Sequence, residues 1–352
     1  MVPLLSLIIP KIQYQFNEKC ERNHKSRVIC RIMSNFVEIC RTVSNFVEIG
    51  EMGMIFLTYG YSPTKHTREA MEMFHTSGIV RTGETFDRSA AVFSRYAQQL
   101  ERALSQPAGE MPCPAQILFL TEYSRAAGEK SLLPLAERQL HRLAADRDSC
   151  HGQRGLLLFA AGELYRRTGC RETETAAGCL AEELMAERQV PPDSALGGAW
   201  AMTIGGLAQA GRAFGRQRYL EAALRGEERL RAGMSKKGEF CRKQGESPAA
   251  LGEYAWYAIA LLELGLSGCG AGYAAGAETL LDRAEELFAV PTGGYGSTLS
   301  DNGAMLWALR MLQAQRPDWN RRERGRRQAE WLMEVSARTP EPMALTALLR
   351  FP

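Results

Sequence analysis

Residues 198–234 hold two helices of opposite character in one hairpin. GAWAMTIGGLAQAGRAF is small and apolar almost all round, and QRYLEAALRGEERLRAGM is striped. In the second limb Tyr219, Leu220, Ala223, Leu224 and Leu230 lie to one side, with Arg and Glu opposite. A helix that is apolar on every side is stable only when surrounded, whereas a striped one covers it and turns its charges to water. The alternation recurs along the chain. ILFLTEYSRAAG, GLLLFAAGELYRRTG, EYAWYAIALLELG and GAMLWALRMLQ are of the first type, and PLAERQLHRLAA, AAGCLAEELMAER and AETLLDRAEELFA are of the second.

From Phe86 onward this spacing predicts helices over 87–104, 114–127, 131–145, 153–168, 172–188, 198–214, 217–232, 250–264, 273–289, 301–314, 321–337 and 341–350. Gly128, Gly169 and Gly215 close inner helices, as left-handed C-caps require. Inner helices return about every forty to fifty residues, a helical-hairpin period. An array of this kind stacks as an open superhelix or closes into a ring, and two features predict closure. Helices apolar on nearly all sides need neighbours laterally and behind. The long connections 146–152, 189–197, 241–249 and 291–300 all precede an inner helix, and unequal loops gathered on one rim are where a scaffold carries a site. With 87–104 paired to the last helix, the expected fold is all-α, an (α/α)6 toroid of six hairpins over 86–352.

The first fifty residues do not share this pattern. A ten-residue unit runs CERNHKSRVI, CRIMSNFVEI, CRTVSNFVEI from Cys20 to Ile49, shorter than the roughly 20–50-residue units that build solenoids. The repeat reads as a tandem duplication, so 1–50 is expected to be a poorly ordered extension without a fold of its own, and Met52 and Met54 as alternative starts. Residues 51–85 read as a linker punctuated by Gly60, Pro63, Gly78 and Gly83. The apolar run 2–9 lacks a basic flank and ends at Pro10, unlike a signal peptide, and is too short to span a bilayer. A net charge of +3 gives no reason to expect nucleic acid or an anionic membrane as partner. The basic run from Arg321 to Arg327 reads as a solvated helix face. Nine cysteines without a Cys-x-x-Cys pair fit reduced thiols in a cytoplasmic protein, and no metal site or cofactor is implied.

Several segments, in this order, carry a family likeness: LAQAGRAFGRQRYLEAA, GEYAWYAIALLEL, LLDRAEELFAVPTGGYG, SDNGAMLWALRML and PMALTALLRF. From about Gln116 to Phe351 the chain resembles the C-terminal helical region of the spermatogenesis-associated, thioredoxin-domain-containing proteins, a toroid similar to that of N-acylglucosamine 2-epimerase. The thioredoxin-like domain itself has no counterpart, so the resemblance implies no redox role. The family's His-Phe-Glu-Lys before the second inner helix is replaced by Asp148-Ser149-Cys150-His151-Gly152-Gln153, and its Trp-Asn-Gly at the third by Ala199-Trp200-Ala201. Its Asp-Tyr at the fourth becomes Glu253-Tyr254, and its Ser-Gly-Asn at the fifth becomes Ser300-Asp301-Asn302. The resemblance implies a sugar-related ancestry with a partly eroded polar rim.

In a closed toroid, inner-helix N-termini converge, and their dipoles and free N–H groups favour polar or anionic ligands. The rim is expected to present His151, Asp193, Trp200, Arg242, Glu246, Glu253, Tyr254, Trp256, Tyr295, Asp301 and Asn302. Sugar chemistry needs an acid and a base across the ring. Glu253 and Asp301 are the candidate catalytic pair, with Trp200, Tyr254, Trp256, Tyr295 and Asn302 as candidate substrate contacts. The competing reading is that both carboxylates simply cap their own helices. The chain therefore reads first as a non-catalytic toroid binding a small polar metabolite, such as a sugar, or a partner. The alternative is an epimerase or glycosidase-like enzyme using the rim carboxylates.

Overall fold

A computed structural model describes residues 83–106, 112–146, 151–186, 197–232, 240 and 249–350, with the backbone alone at 83–89 and 151. The repeat-bearing extension, the linker as far as residue 82, and Asp193, Arg242 and Glu246 of the expected rim lie outside the described residues. The helical unit spans Thr82–Pro352. Its described residues form twelve helices. These are α1 Gly83–Ser105, α2 Pro114–Ala126, α3 Leu133–Ala145, α4 His151–Thr168, α5 Arg171–Ala186, α6 Gly197–Phe214, α7 Gln217–Ala232, α8 Leu251–Leu266, α9 Gly272–Phe288, α10 Leu299–Gln315, α11 Trp319–Ser336 and α12 Pro342–Leu349. Among the described residues the only β-type pairing is an isolated antiparallel bridge between Ala289 and Tyr295.

The even-numbered helices form the inner wall. Contacts run α2–α4–α6–α8–α10–α12 and return from α12 to α2, so the ring is closed. The odd-numbered helices sheathe it, α9 against α8 and α11 against α10, for example. This is the (α/α)6 toroid the alternation predicts. Burial follows the sequence pattern: every residue of α8 from Leu251 to Leu264 is buried, whereas α7 buries only Tyr219, Ala223 and Glu227, one stripe four residues apart. One expectation changes. The first helix lies against α2 and α3 rather than pairing mainly with the last, although its Tyr96 comes within electrostatic range of Glu341 at the start of α12.

Gly128, Gly169 and Gly215 take φ of 67°, 62° and 64°, the left-handed geometry expected where an inner helix turns to its outer partner. Other glycines let backbones touch. A Cβ on Gly155 of α4 would lie 2.6 Å from the Thr203 amide of α6, and one on Gly303 of α10 would lie 2.6 Å from the Ala344 amide of α12. These helices approach more closely than any side chain allows, which makes the wall narrow.

Aromatic side chains meet across the ring at mid-depth. Phe159 of α4 meets Trp256 of α8 edge-on at 6.1 Å and Trp307 of α10 at 5.7 Å. α4 and α10 stand opposite each other in the ring, so these rings reach across the lumen. Phe159 and Trp307 are each 1 % exposed. The aromatic partition separates the end where inner helices begin from the end where they finish.

Candidate functional site

The inner helices start at one end of the ring, and their first turns share a register. In α4, α6 and α8 the second residue is a glycine, Gly152, Gly198 and Gly252, and the third is Gln153, Ala199 and Glu253; α10 carries Ser300 and Asp301 at these places. Each third residue rests on the second residue of the preceding inner helix. A Cβ on Gly152 would lie 3.1 Å from the Ala199 Cβ, and one on Gly198 would lie 2.9 Å from the Glu253 Cγ. One on Gly252 would strike the Asp301 carboxylate, 2.9 Å from its Cγ. The repeat therefore brings Asp301 onto the residue adjoining Glu253 and places both carboxylates on neighbouring first turns of the rim.

Both are engaged there. Glu253, 7 % exposed, accepts from its own helix start, the Ala250 amide, at 2.7 Å. Asp301 accepts from the Ser297 hydroxyl at 2.5 Å. The cap of α10 is neither Ser300 nor Asp301: Thr298 is the N-cap, its hydroxyl accepting from the Asp301 amide at 3.1 Å. Next along the ring, Glu341 caps α12 by accepting from the Ala344 amide at 2.7 Å. Burial pushes the Glu341 carboxyl up, the Ala344 and Met343 amides and the Ser300 hydroxyl pull it down, and the Asp301 charge raises it further, for a net rise.

The remaining candidates separate into two groups. Trp200, half-buried in the first turns of α6, lies at the end where the inner helices begin, and Trp256, 5 % exposed, belongs to the aromatic partition. The other three brace structure. Tyr254, 1 % exposed, lies edge-on to Phe240 at 5.8 Å and to Phe288 of α9 at 6.0 Å, inside the wall between the layers. Tyr295 is turned outward rather than to the rim, its hydroxyl donating to Glu285 of α9 at 2.5 Å. Burial and that carboxylate push its phenol well above the ordinary range. Asn302 is fully buried. Its Oδ1 accepts from the Tyr295 amide at 2.9 Å, and its Nδ2 donates to the carbonyls of Tyr295 and Thr298 at 3.2 and 2.9 Å. Every polar atom of that amide fastens the 295–298 turn, and the Asn302 carbonyl accepts from Gln328 of α11 at 2.8 Å.

Below the partition lies a polar cluster the sequence reading did not single out. Glu122 of α2, Glu163 of α4 and Glu263 of α8 are 1–2 % exposed. Arg350, just past α12, donates to Glu122 at 2.7 Å and pairs with Glu163 at 2.8 Å, and its guanidinium stacks 3.9 Å over Trp307. Glu122 also takes Arg125 at 2.9 Å. Glu163 accepts from Gln209 of α6 at 2.5 Å, Gln209 accepts from Arg212, and Arg212 reaches Glu263 at 2.7 Å. One chain of contacts thus runs from α2 through the end of α12 to α4, α6 and α8. Burial alone would raise Glu122, but the Arg350 and Arg125 guanidinia more than reverse it and hold it below the usual carboxylate range. At Glu263 burial wins over Arg212 and the carboxyl is pushed up. Arg310 of α10 is pushed down to about 10 by burial and by repulsion from Arg125 and Arg350. A signal was present: Glu163, Gln209 and Glu263 each occupy the thirteenth position of an inner helix, at the end of its apolar run.

Among the described residues no group of three or more His, Cys, Asp or Glu is placed to hold a metal ion, and no helix is long and apolar enough to cross a membrane.

No protein-family model and no curated protein matches this sequence. Solved structures do share its fold. An unsaturated glucuronyl hydrolase specific for heparin superposes with a TM-score of 0.59 at 14% identity, covering 75% of this chain and 95% of its own. A polysaccharide lyase gives 0.54 at 12% identity, covering 74% and 95%. A D-mannose isomerase gives 0.51 at 14% identity, covering 62% and 73%. These neighbours, a hydrolase, a lyase and an isomerase, share the six-hairpin toroid with this chain and differ in chemistry, so the scaffold fixes no single reaction.

Proposed function

We propose that the end of the toroid where the inner helices begin binds a small polar metabolite of saccharide type, and that the chain is a binding descendant of a sugar-active toroid rather than a turnover catalyst. The observation that carries this reading is the commitment of the rim's polar groups. Glu253 holds Ala250, Asp301 holds Ser297, Tyr295 holds Glu285 and Asn302 closes its own turn. Trp200 then supplies aromatic surface of the kind that sugars stack on, with Trp256 in the partition as the floor, beside converging helix N-termini that favour hydroxyl and carboxylate oxygens. The ordered run of shared segments supports descent from the spermatogenesis-associated, thioredoxin-domain-containing family. Free thiols at Cys113, Cys170, Cys179 and Cys269 support a reducing, cytoplasmic setting.

A second reading has its own support: the shared register sets Glu253 and Asp301 on adjacent first turns, as an acid–base pair would need. Both readings are tested by titrating the full chain with neutral monosaccharides, amino sugars and uronates. The readouts are thermal shift, tryptophan fluorescence and product analysis. A bound sugar at 100 times its Kd adds about 2.7 kcal/mol of stability and raises the Tm by roughly 5 °C or more. Binding without conversion agrees with the first reading. Conversion that is lost in Glu253→Gln and Asp301→Asn establishes the second. No shift and no fluorescence change with any of them overturns both.

A further inference from the structure

On the outer layer, toward the end of the ring where the inner helices begin, the last turn of α1 and the exposed face of the C-terminal half of α3 border a depression lined by Leu104, Ser105, Gln106, Arg138, Gln139, His141 and Arg142. Three of these side chains are basic, and none is a carboxylate. Arg138, His141 and Arg142 follow the i, i+3, i+4 rule that puts residues on one helix face. Here that face is turned to water.

The depression is also pre-organised. Gln139 is buried, 2 % exposed, and its Nε2 donates to the Leu104 carbonyl at 3.2 Å, tying α3 to the last turn of α1. Its Oε1 accepts from the Arg142 guanidinium at 3.2 Å. A buried amide fixed at one end to a backbone carbonyl therefore orients an exposed arginine at the other. Glu172 at the start of α5 lies within electrostatic range of His141 on this face. It is held below the usual carboxylate range first by the Cys170 thiol, with a smaller contribution from His141. Part of the positive charge complements the negative end of the α1 dipole. The two guanidinium charges of Arg138 and Arg142 exceed the half-charge of one helix terminus, and Arg138 makes no contact with an acid among the described residues.

We propose that this depression is a second binding site, selective for a tetrahedral oxyanion, a phosphate or sulfate group. Arg142 and Arg138 supply charge-assisted hydrogen bonds, and the exposed Ser105 hydroxyl and Gln106 amide complete the donor set. Free phosphate and a phosphate or sulfate ester on a sugar share this chemistry, and the test separates them. It does not depend on the reading of the rim.

The experiment titrates the full chain with inorganic phosphate, a hexose phosphate and a sulfated disaccharide by calorimetry, at constant ionic strength set with chloride. Saturable binding is expected, weakened at least tenfold in Arg138→Ala/Arg142→Ala and unchanged in Trp319→Ser, at an exposed side chain outside both sites. Gln139→Glu keeps the carbon skeleton while placing a carboxylate in the depression, and is expected to abolish phosphate binding. Tighter binding of an ester than of phosphate names the ester as occupant, and equal binding names the free ion. Non-saturating heats, or equal affinity in the wild type and the double arginine variant, overturn the proposal. All three arginine and glutamine positions are checked for helicity by circular dichroism, so that lost binding is read only on folded protein.

Discussion

Arg350→Met tests the polar cluster below the aromatic partition. The arginine joins Glu122 and Glu163, each 1–2 % exposed, and covers the Trp307 ring. Removing one partner of a buried pair leaves an uncompensated charge and costs about 3–5 kcal/mol. The stacked guanidinium adds about 1 kcal/mol. Two features reduce the sum: Glu122 keeps Arg125, Glu163 keeps Arg166 and Gln209, and the Arg350 side chain is itself 20% exposed. A loss of about 3 kcal/mol remains. In urea, with a slope of about 3 kcal/mol/M for a chain of this size, the midpoint falls by roughly 1 M. Glu163→Gln sharpens the test, because it removes a paired charge from the wild type but an under-compensated one from Arg350→Met. A double-mutant cycle is expected to give a coupling of about 1.5 kcal/mol or more. Additivity within about 0.5 kcal/mol, or a midpoint that does not move, refutes the account of the cluster as one connected unit. Acid gives a further check. Glu122 is depressed in the fold, so its stabilisation is complete above the unfolded carboxylate value of about 4.3 and disappears as pH falls through the lower folded value. The acid-side loss is expected to be steeper in the wild type than in Arg350→Met.

Gly155→Ala forces a methyl to within 2.6 Å of the Thr203 amide, so it should prise α4 from α6 and lower the urea midpoint by the equivalent of about 1–3 kcal/mol. Asn302→Ala removes three hydrogen bonds of a fully buried amide and should cost about 2–4 kcal/mol, with faster hydrogen exchange confined first to the 295–298 turn. Glu341→Gln should lose little at pH 4 and gain stability toward pH 7. The wild-type carboxyl is raised in the fold, so its favourable contribution is full below the unfolded value and fades as pH climbs through the folded one. A thermal-stability profile against pH reads that difference directly. Trp319→Ser, at a side chain 72 % exposed, should change stability by less than about 0.5 kcal/mol.

The ring was legible because its cause is local. Fourteen consecutive buried residues in α8 leave a segment apolar but for Glu253 and Glu263, and the stripe of α7 leaves a four-residue period, so each helix announces its layer. Glycine caps were equally visible, since φ near 65° at Gly128, Gly169 and Gly215 selects the residue type. Side-chain direction was not legible. Tyr295 sits in a glycine-rich turn that looks like a rim loop, but Glu285 on α9 and Asn302 on α10 decide where it points. Thr298 rather than Asp301 caps α10 because the helix begins at Leu299, two residues before the expected Asp301. The buried cluster was hidden for another reason. Glu122 and Arg350 are 228 residues apart in sequence, and their pairing exists only once the ring has closed.

That closure has a kinetic corollary in the Phe159–Trp256–Trp307 layer. A toroid invites the picture of a conduit, with substrate entering at one face and product leaving at the other. Aromatic rings meeting across the middle make this one a cup. If the rim takes a ligand as proposed, arrival and release share that one face.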